Sequence, residues 1–231
     1  MCRAIIAVCF AIVGLVSCAQ VDFDDAPVGR FSGSVLLLWV DEGSSTSGDG
    51  RFVFVPAPGR PLMFERGGDG GTFPIIQPGM IYTDGGSIPK AAQLFKGFSP
   101  WGYAPAYMVH DWLFVARRCL TDGTADANET QIAPVSFQES AEIIAEAIKT
   151  LIDQDRVAPN DVAPRVISGT VAGPISKAQW TKQGACAADR VSAEHIREVK
   201  DAVAQYGTTK SQTPLTKPTA SGTRIVAEIA F

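Results

Sequence analysis

The apolar residues of this 231-residue chain change their spacing at one point, and that change constrains the fold more than any other feature. Before Asp84 they alternate over short runs separated by Gly, Pro, Ser and Asp, as half-buried strands do. Ser32 to Val40, Arg51 to Val55 and Leu62 to Arg66 read as strands, and Phe73 to Tyr82 reads as a fourth extended segment interrupted at Pro78-Gly79. After Asp84 the repeat becomes three and four, the period of a helix face. Helices are expected over Ser87 to Phe95, Tyr103 to Arg118, Ser136 to Asp153, Asn160 to Gly169 and Ala187 to Tyr206, the last ended by Gly207. Strands followed by helices predict an α+β fold, with an N-terminal β meander or small antiparallel sheet packed against C-terminal helices. Residues 207–231 read as a loose tail, with Arg224 to Phe231 alternating as a final strand that returns to the sheet edge.

The chain opens with Arg3 as its only early charge, an apolar run from Ala4 to Val16, and Leu15-Val16-Ser17-Cys18. Residues 1–17 have the layout of a lipoprotein signal peptide, and the run is too short to span a bilayer as a helix. The segment resembles those of bacterial lipoproteins, and the resemblance implies that Cys18 receives a diacylglycerol and palmitate-type acyl chains. An ordinary secretory signal cut after Ser17 or Ala19 is the alternative. Residues 18–30 then form a polar tether to a domain spanning 31–206. The expected location is the cell membrane or outer membrane, facing the periplasm and held by lipid; Ala19 after the cysteine resembles an outer-membrane sorting signal.

Once the signal is removed, Cys119 and Cys186 are the thiols left free of lipid. An exported protein favours joining them as a disulfide; two separate buried thiols are the competing reading. The net charge of -4 and the absence of a basic patch with interleaved aromatics argue against nucleic acid as a partner. Arg117-Arg118 is expected to cap a helix end.

Candidate site residues gather in two motifs. In Thr83-Asp84-Gly85-Gly86-Ser87-Ile88-Pro89, Gly85 and Gly86 allow a tight turn around the Asp84 carboxylate, and Ser87 reads as an N-cap. The same loop type can present N–H groups to an anion. In Tyr107-Met108-Val109-His110-Asp111-Trp112-Leu113-Phe114, the spacing places His110 toward the core. Asp111 points about 100 degrees away from it on helical geometry, so the two do not form a triad-like pair. Asp84 is a candidate partner for His110.

These motifs resemble the family called domain of unknown function 1353, over about Phe52 to Trp180. The resemblance pairs a Thr-Asp-Gly-Ala-Ser-Ile-Pro loop with a His-Asp-aromatic-Leu-aromatic helix, and it implies an acidic residue at Glu142 as a further partner. Gly86 stands where the family has Ala, and Glu142 where it has Asp. No established reaction comes with the resemblance. Two functions are expected from the residues: a non-catalytic envelope module that binds a protein or peptidoglycan, or a metal-assisted or His-dependent hydrolase using Asp84, His110 and Asp111. A phage-derived lipoprotein that alters the cell surface is a third. The pattern names neither the metal nor a cofactor, and no histidine precedes His110, unlike the HD phosphohydrolases.

Overall fold

The computed structural model describes residues 20–40, 51–85, 99, 101–159, 162–209 and 222–231. It is α+β, with antiparallel sheets from N-terminal strands packed on helices that follow them. Strands β1 (Arg30–Ser32), β4 (Met63–Glu65) and β5 (Ile75–Ile76) form a three-stranded sheet in the order β1-β4-β5. Strands β2 (Ser34–Val40), β3 (Arg51–Pro56), β6 (Ile81–Thr83) and β7 (Arg224–Ala230) form a second sheet in the order β6-β3-β2-β7.

One strand expected to be continuous, and the extended segment expected to be interrupted at Pro78-Gly79, are each divided between the sheets. Gly33 separates β1 from β2 at a φ of +81°, and a Cβ there would lie 2.0 Å from the Pro61 carbonyl oxygen. Only glycine meets both conditions, so the chain turns there and changes sheet. Likewise the Pro78-Gly79 interruption separates β5 from β6.

Seven helices are described: α1 (Ala104–Thr121), α2 (Ala127–Thr130), α3 (Phe137–Asp153), α4 (Ala163–Val171), α5 (Pro174–Trp180), α6 (Cys186–Asp189) and α7 (Ala193–Thr209). Ser136 caps α3, its side chain accepting from the Glu139 N–H. The expected helix 187–206 is two elements, because Arg190 is extended (φ -68°, ψ 146°) between α6 and α7. Gly207 does not end α7, which runs to Thr209. Two short helices, α2 and α5, escaped the periodicity, since one or two turns cannot show a 3.6-residue repeat. The expected Ser87 to Phe95 helix lies outside the described residues, as do Gly86, Ser87, Asn160 and Asp161.

The four-stranded sheet is covered on both faces. Leu36, Leu38, Val53, Val55 and Ile225 pack against Val199 and Ala202 of α7. Val35, Phe54 and Ile81 point the other way, into a larger core with Met108, Leu113, Ile144 and Ile148 of α1 and α3. Strand β2 is therefore central in two directions, which is why Val35-Leu36-Leu37-Leu38-Trp39-Val40 is apolar throughout instead of alternating. At the edge, β7 pairs antiparallel with β2, with a register shift at Leu37/Leu38.

Cys119 and Cys186 form a disulfide with a Cα–Cα separation of 4.7 Å across 67 residues. Both are buried. The Asp122 carboxylate accepts from the N–H groups of Gly184 and Cys186 at 2.7 and 2.9 Å, which sets Cys186 beside Cys119. Those N–H groups, Cys186's first, hold the Asp122 carboxyl below its ordinary value.

Arg117 and Arg118 do more than cap a helix end. Arg117 donates to the carbonyls of Ile132, Ala133 and Val135 and lies over the Trp180 ring. Arg118 pairs with Asp189 and donates to the Gln179 carbonyl. Together they tie α1 to the α2–α3 turn and to α5 and α6.

Candidate functional site

Strand β6 ends at Thr83, and the turn that follows is built by a hydroxyl. Gly85, at φ +89°, donates its N–H to Thr83 Oγ1 at 2.9 Å. The Thr83 side chain takes up the N–H two residues on, and Gly86 and Ser87, whose N–H groups the expected turn around Asp84 also uses, lie outside the described residues. Asp84 is left exposed.

Asp84 faces a groove of about 600 Å³ with walls from Arg51, Phe52, Tyr82, Thr83, Asp84 and Trp101. Phe52 and Thr83 are register partners on β3 and β6, so the groove lies at the end of this strand pair. Phe52 is held edge-on between Trp39 and Trp101, with ring centroids 5.0 and 5.2 Å away. Trp101 is 37% exposed, with its ring also edge-on to Phe54 at 6.3 Å. The Arg51 guanidinium lies 5.0 Å from the Tyr82 ring centroid. Tyr82 is fixed from behind: its hydroxyl accepts from the Ser192 N–H at 3.0 Å and hydrogen-bonds His195 Nδ1 at 2.7 Å. Thus His195, the second histidine of the chain, positions a groove wall from the start of α7.

His110 sits elsewhere. It is 6% exposed on α1, its ring 4.7 Å from that of Phe114. Nδ1 is 3.6 Å from Asp111 Oδ1, too far for a hydrogen bond. Among the described residues, His110 Nε2 and the Tyr107 hydroxyl are buried without a hydrogen-bond partner. Burial pushes the Tyr107 hydroxyl above its ordinary pKa, and the charges of Tyr103 and Asp111 add to that, so it stays protonated. Asp111 is 41% exposed at its side chain, and neither it nor His110 is among the groove's described walls. Among the described residues no group of three or more His, Cys, Asp or Glu side chains is placed to hold a metal ion.

Among the described residues, Glu142 meets neither motif. It accepts from Gln138 Nε2 at 2.8 Å, one turn away on α3. The buried acids of α3 are its neighbours Glu139 and Glu146. Arg66, with its side chain 5% exposed, reaches Glu139 at 2.6 Å and Glu146 at 2.5 Å. Thr72 donates its N–H to Glu139 Oε1 at 2.8 Å and also its hydroxyl. Gly71, at φ +58°, passes so close that a Cβ would lie 2.5 Å from Glu139 Oε1. This network closes the Gly67–Gly71 loop onto α3. A seven-residue interval between Glu139 and Glu146 puts both on one face, and that was the available signal; nothing in the sequence pointed from Arg66 to them.

Cys18 and the signal segment lie outside the described residues. Among the described residues, no helix is long and apolar enough to cross a membrane. Comparison of the chain with family models, with curated proteins and with solved structures found no match.

Proposed function

We propose that this protein is an envelope lipoprotein, acylated at Cys18 and facing the periplasm, whose folded domain is a non-catalytic binding module for peptidoglycan. The observation that carries the reading is the separation of the two motifs. Asp84 and Thr83 open onto an aromatic-walled groove, while His110 is shut inside the helix packing. Concave sites with apolar walls and a few convergent polar groups bind ligands. Here flat aromatic faces at Trp101 and Phe52 suit the C–H faces of sugar rings, and Arg51, Thr83 and Asp84 supply the charge and hydrogen bonding that a glycan bearing amide and carboxylate groups requires.

The test is co-sedimentation of the full chain with purified peptidoglycan sacculi. Trp101→Ala and Asp84→Asn are expected to weaken binding about tenfold, or roughly 1.4 kcal/mol, with unchanged melting temperature. No sedimentation of the native protein overturns the ligand. For the anchor, Cys18→Ser is expected to release the protein from membranes, and continued association overturns lipidation.

One observation favours a second reading, a His-dependent or metal-assisted hydrolase. The orphaned His110 Nε2 and Tyr107 hydroxyl are buried polar groups of a kind found at working sites. Metal titration of the native protein against His110→Ala separates the two: stoichiometric metal lost with His110 favours the hydrolase.

A further inference from the structure

Residues 20–31 do not behave as a flexible tether. They are laid along α3 from its first turn to its last. At the start, the Gln20 N–H donates to Gln138 Oε1 at 2.8 Å, and Gln138 Nε2 donates to the Gln20 carbonyl at 2.6 Å. Midway, Arg165 of α4 donates to both Asp24 carboxylate oxygens at 3.0 and 2.6 Å. Phe23 packs against the main core. At the far end, the Phe31 N–H donates to Gln154 Oε1 at 3.1 Å. Gln138 and Gln154 are about 24 Å apart at the rise of an α-helix, so the segment is pinned over the whole length of α3.

Docking of this segment fixes which end of the domain meets the anchor. Cys18 precedes Gln20 by two residues in the sequence, so the chain leads to the proposed lipid from the end of the domain where Gln20 is held. Gln20 sits at the first turn of α3, and α5 is packed at that same end: Lys177 Nζ lies 4.8 Å from the ring centroid of Phe137, the first residue of α3, and Trp180 lies 6.2 Å from it. From α5 projects Ile175, 80% exposed. Ile175 stands at the end of the domain where the chain leads to Cys18, with Lys177 two residues on, so an aliphatic side chain and an ammonium sit side by side there.

We infer that the α3–α5 end of the domain is a membrane-docking face, held against the bilayer by the pinned segment, with Ile175 entering the boundary of headgroups and acyl chains and Lys177 meeting lipid phosphates. This rests on the proposed acylation of Cys18. Asp22 and Asp25 carry negative charge on the same segment, so the contact is led by Ile175 and does not depend on anionic lipid. A consequence is orientation: the domain stands on the membrane with one face outward instead of tumbling on a leash.

The experiment uses the full-length, acylated protein in phosphatidylcholine vesicles, with an environment-sensitive fluorophore on Ile175→Cys or, in the β3–β4 turn, on Arg60→Cys. Because Cys119 and Cys186 are paired and buried, the introduced thiol reacts selectively. Nitroxide-bearing lipids are expected to quench the probe at position 175 several-fold more than at position 60. In the background Gln138→Ala with Arg165→Ala, quenching at 175 should fall to the level at 60 while the protein stays with the vesicles. Equal quenching at both positions in the native background overturns docking while leaving acylation intact, and quenching that survives the double substitution overturns the role of the pinned segment. Mass spectrometry showing no diacylglycerol on Cys18 overturns the anchor itself.

Discussion

Arg66 brings one positive charge to a buried place where two carboxylates meet it. Burial opposes its charge, but hydrogen bonds and attraction from Glu146 and Glu139 outweigh that and raise its pKa. Burial also raises the carboxyls, and the partners divide unequally. Glu139 gains the Thr72 hydroxyl and N–H besides Arg66, and ends below its ordinary value. Glu146 is driven above its own by burial and by repulsion from Glu142 and Glu139. The signs oppose: Glu139 contributes stability above the unfolded carboxyl range of about 4 that is lost as pH falls through its lowered pKa, whereas Glu146 favours the fold more as pH drops through its raised pKa. Arg66→Met is expected to cost about 3 to 5 kcal/mol at pH 7, because it strands two buried charges, and less at pH 5, because Glu146, whose pKa is raised, takes a proton more readily there. Urea unfolding at the two pH values checks this; an equal loss at both refutes the stranded charges. His110 predicts the contrary: His110→Leu removes an orphaned polar group and is expected to leave the urea midpoint unchanged or higher. A clear fall in the midpoint means Nε2 has a partner in solution. His110's burial was legible from the spacing of Tyr103, Tyr107, His110 and Phe114, since helix geometry alone sets it. Arg66's partners were not, because they lie 73 and 80 residues away.

At the level of elements, the long helices were legible and the short ones were not. The amphipathic repeat of α3 is complete over 17 residues, and Ser136 is a recognisable cap. By contrast α2 has a full capping box, Asp126 accepting from the Glu129 N–H and Glu129 accepting from the Asp126 N–H, written in Asp126-Ala127-Asn128-Glu129 and overlooked for want of an apolar run after it. Asp126→Ala is expected to cost about 0.5 to 2 kcal/mol in thermal or urea unfolding. The Cys119–Cys186 link joins α1 to α6 and closes a loop of 67 residues, so replacing both by Ala should cost about 4 kcal/mol on the chain-entropy model. With the sulfurs buried, thiol reagents should fail to modify the native protein until denaturant and reductant act together; rapid modification under native conditions contradicts the buried link.

For the whole molecule, the decisive element is β2, which is buried on both faces and paired on both edges. Its partner β7 is supplied by the last ten residues of the chain. Ending the chain after Gly222 should therefore expose the β2 edge and remove Ile225 from the core, with loss of cooperative unfolding and association through the bare strand. A truncated chain that stays monomeric and unfolds in one sharp transition disproves that dependence. By itself, the sequence determined what local rules govern: strands up to β6 and helices from α1 on, the inward face of α1, the boundaries of α3 and the alternation of β7. The tertiary structure alone decided how those pieces meet: that Gly33 divides a strand between sheets, that Arg66 finds Glu139 and Glu146, that the supposed tether is pinned along α3, and that Asp84 and His110 are held apart. Periodicity and capping act over a few residues and can be read along the chain. Partners across 70 to 120 residues are chosen only when the core closes and each buried polar group must take whichever neighbour the packing brings within reach.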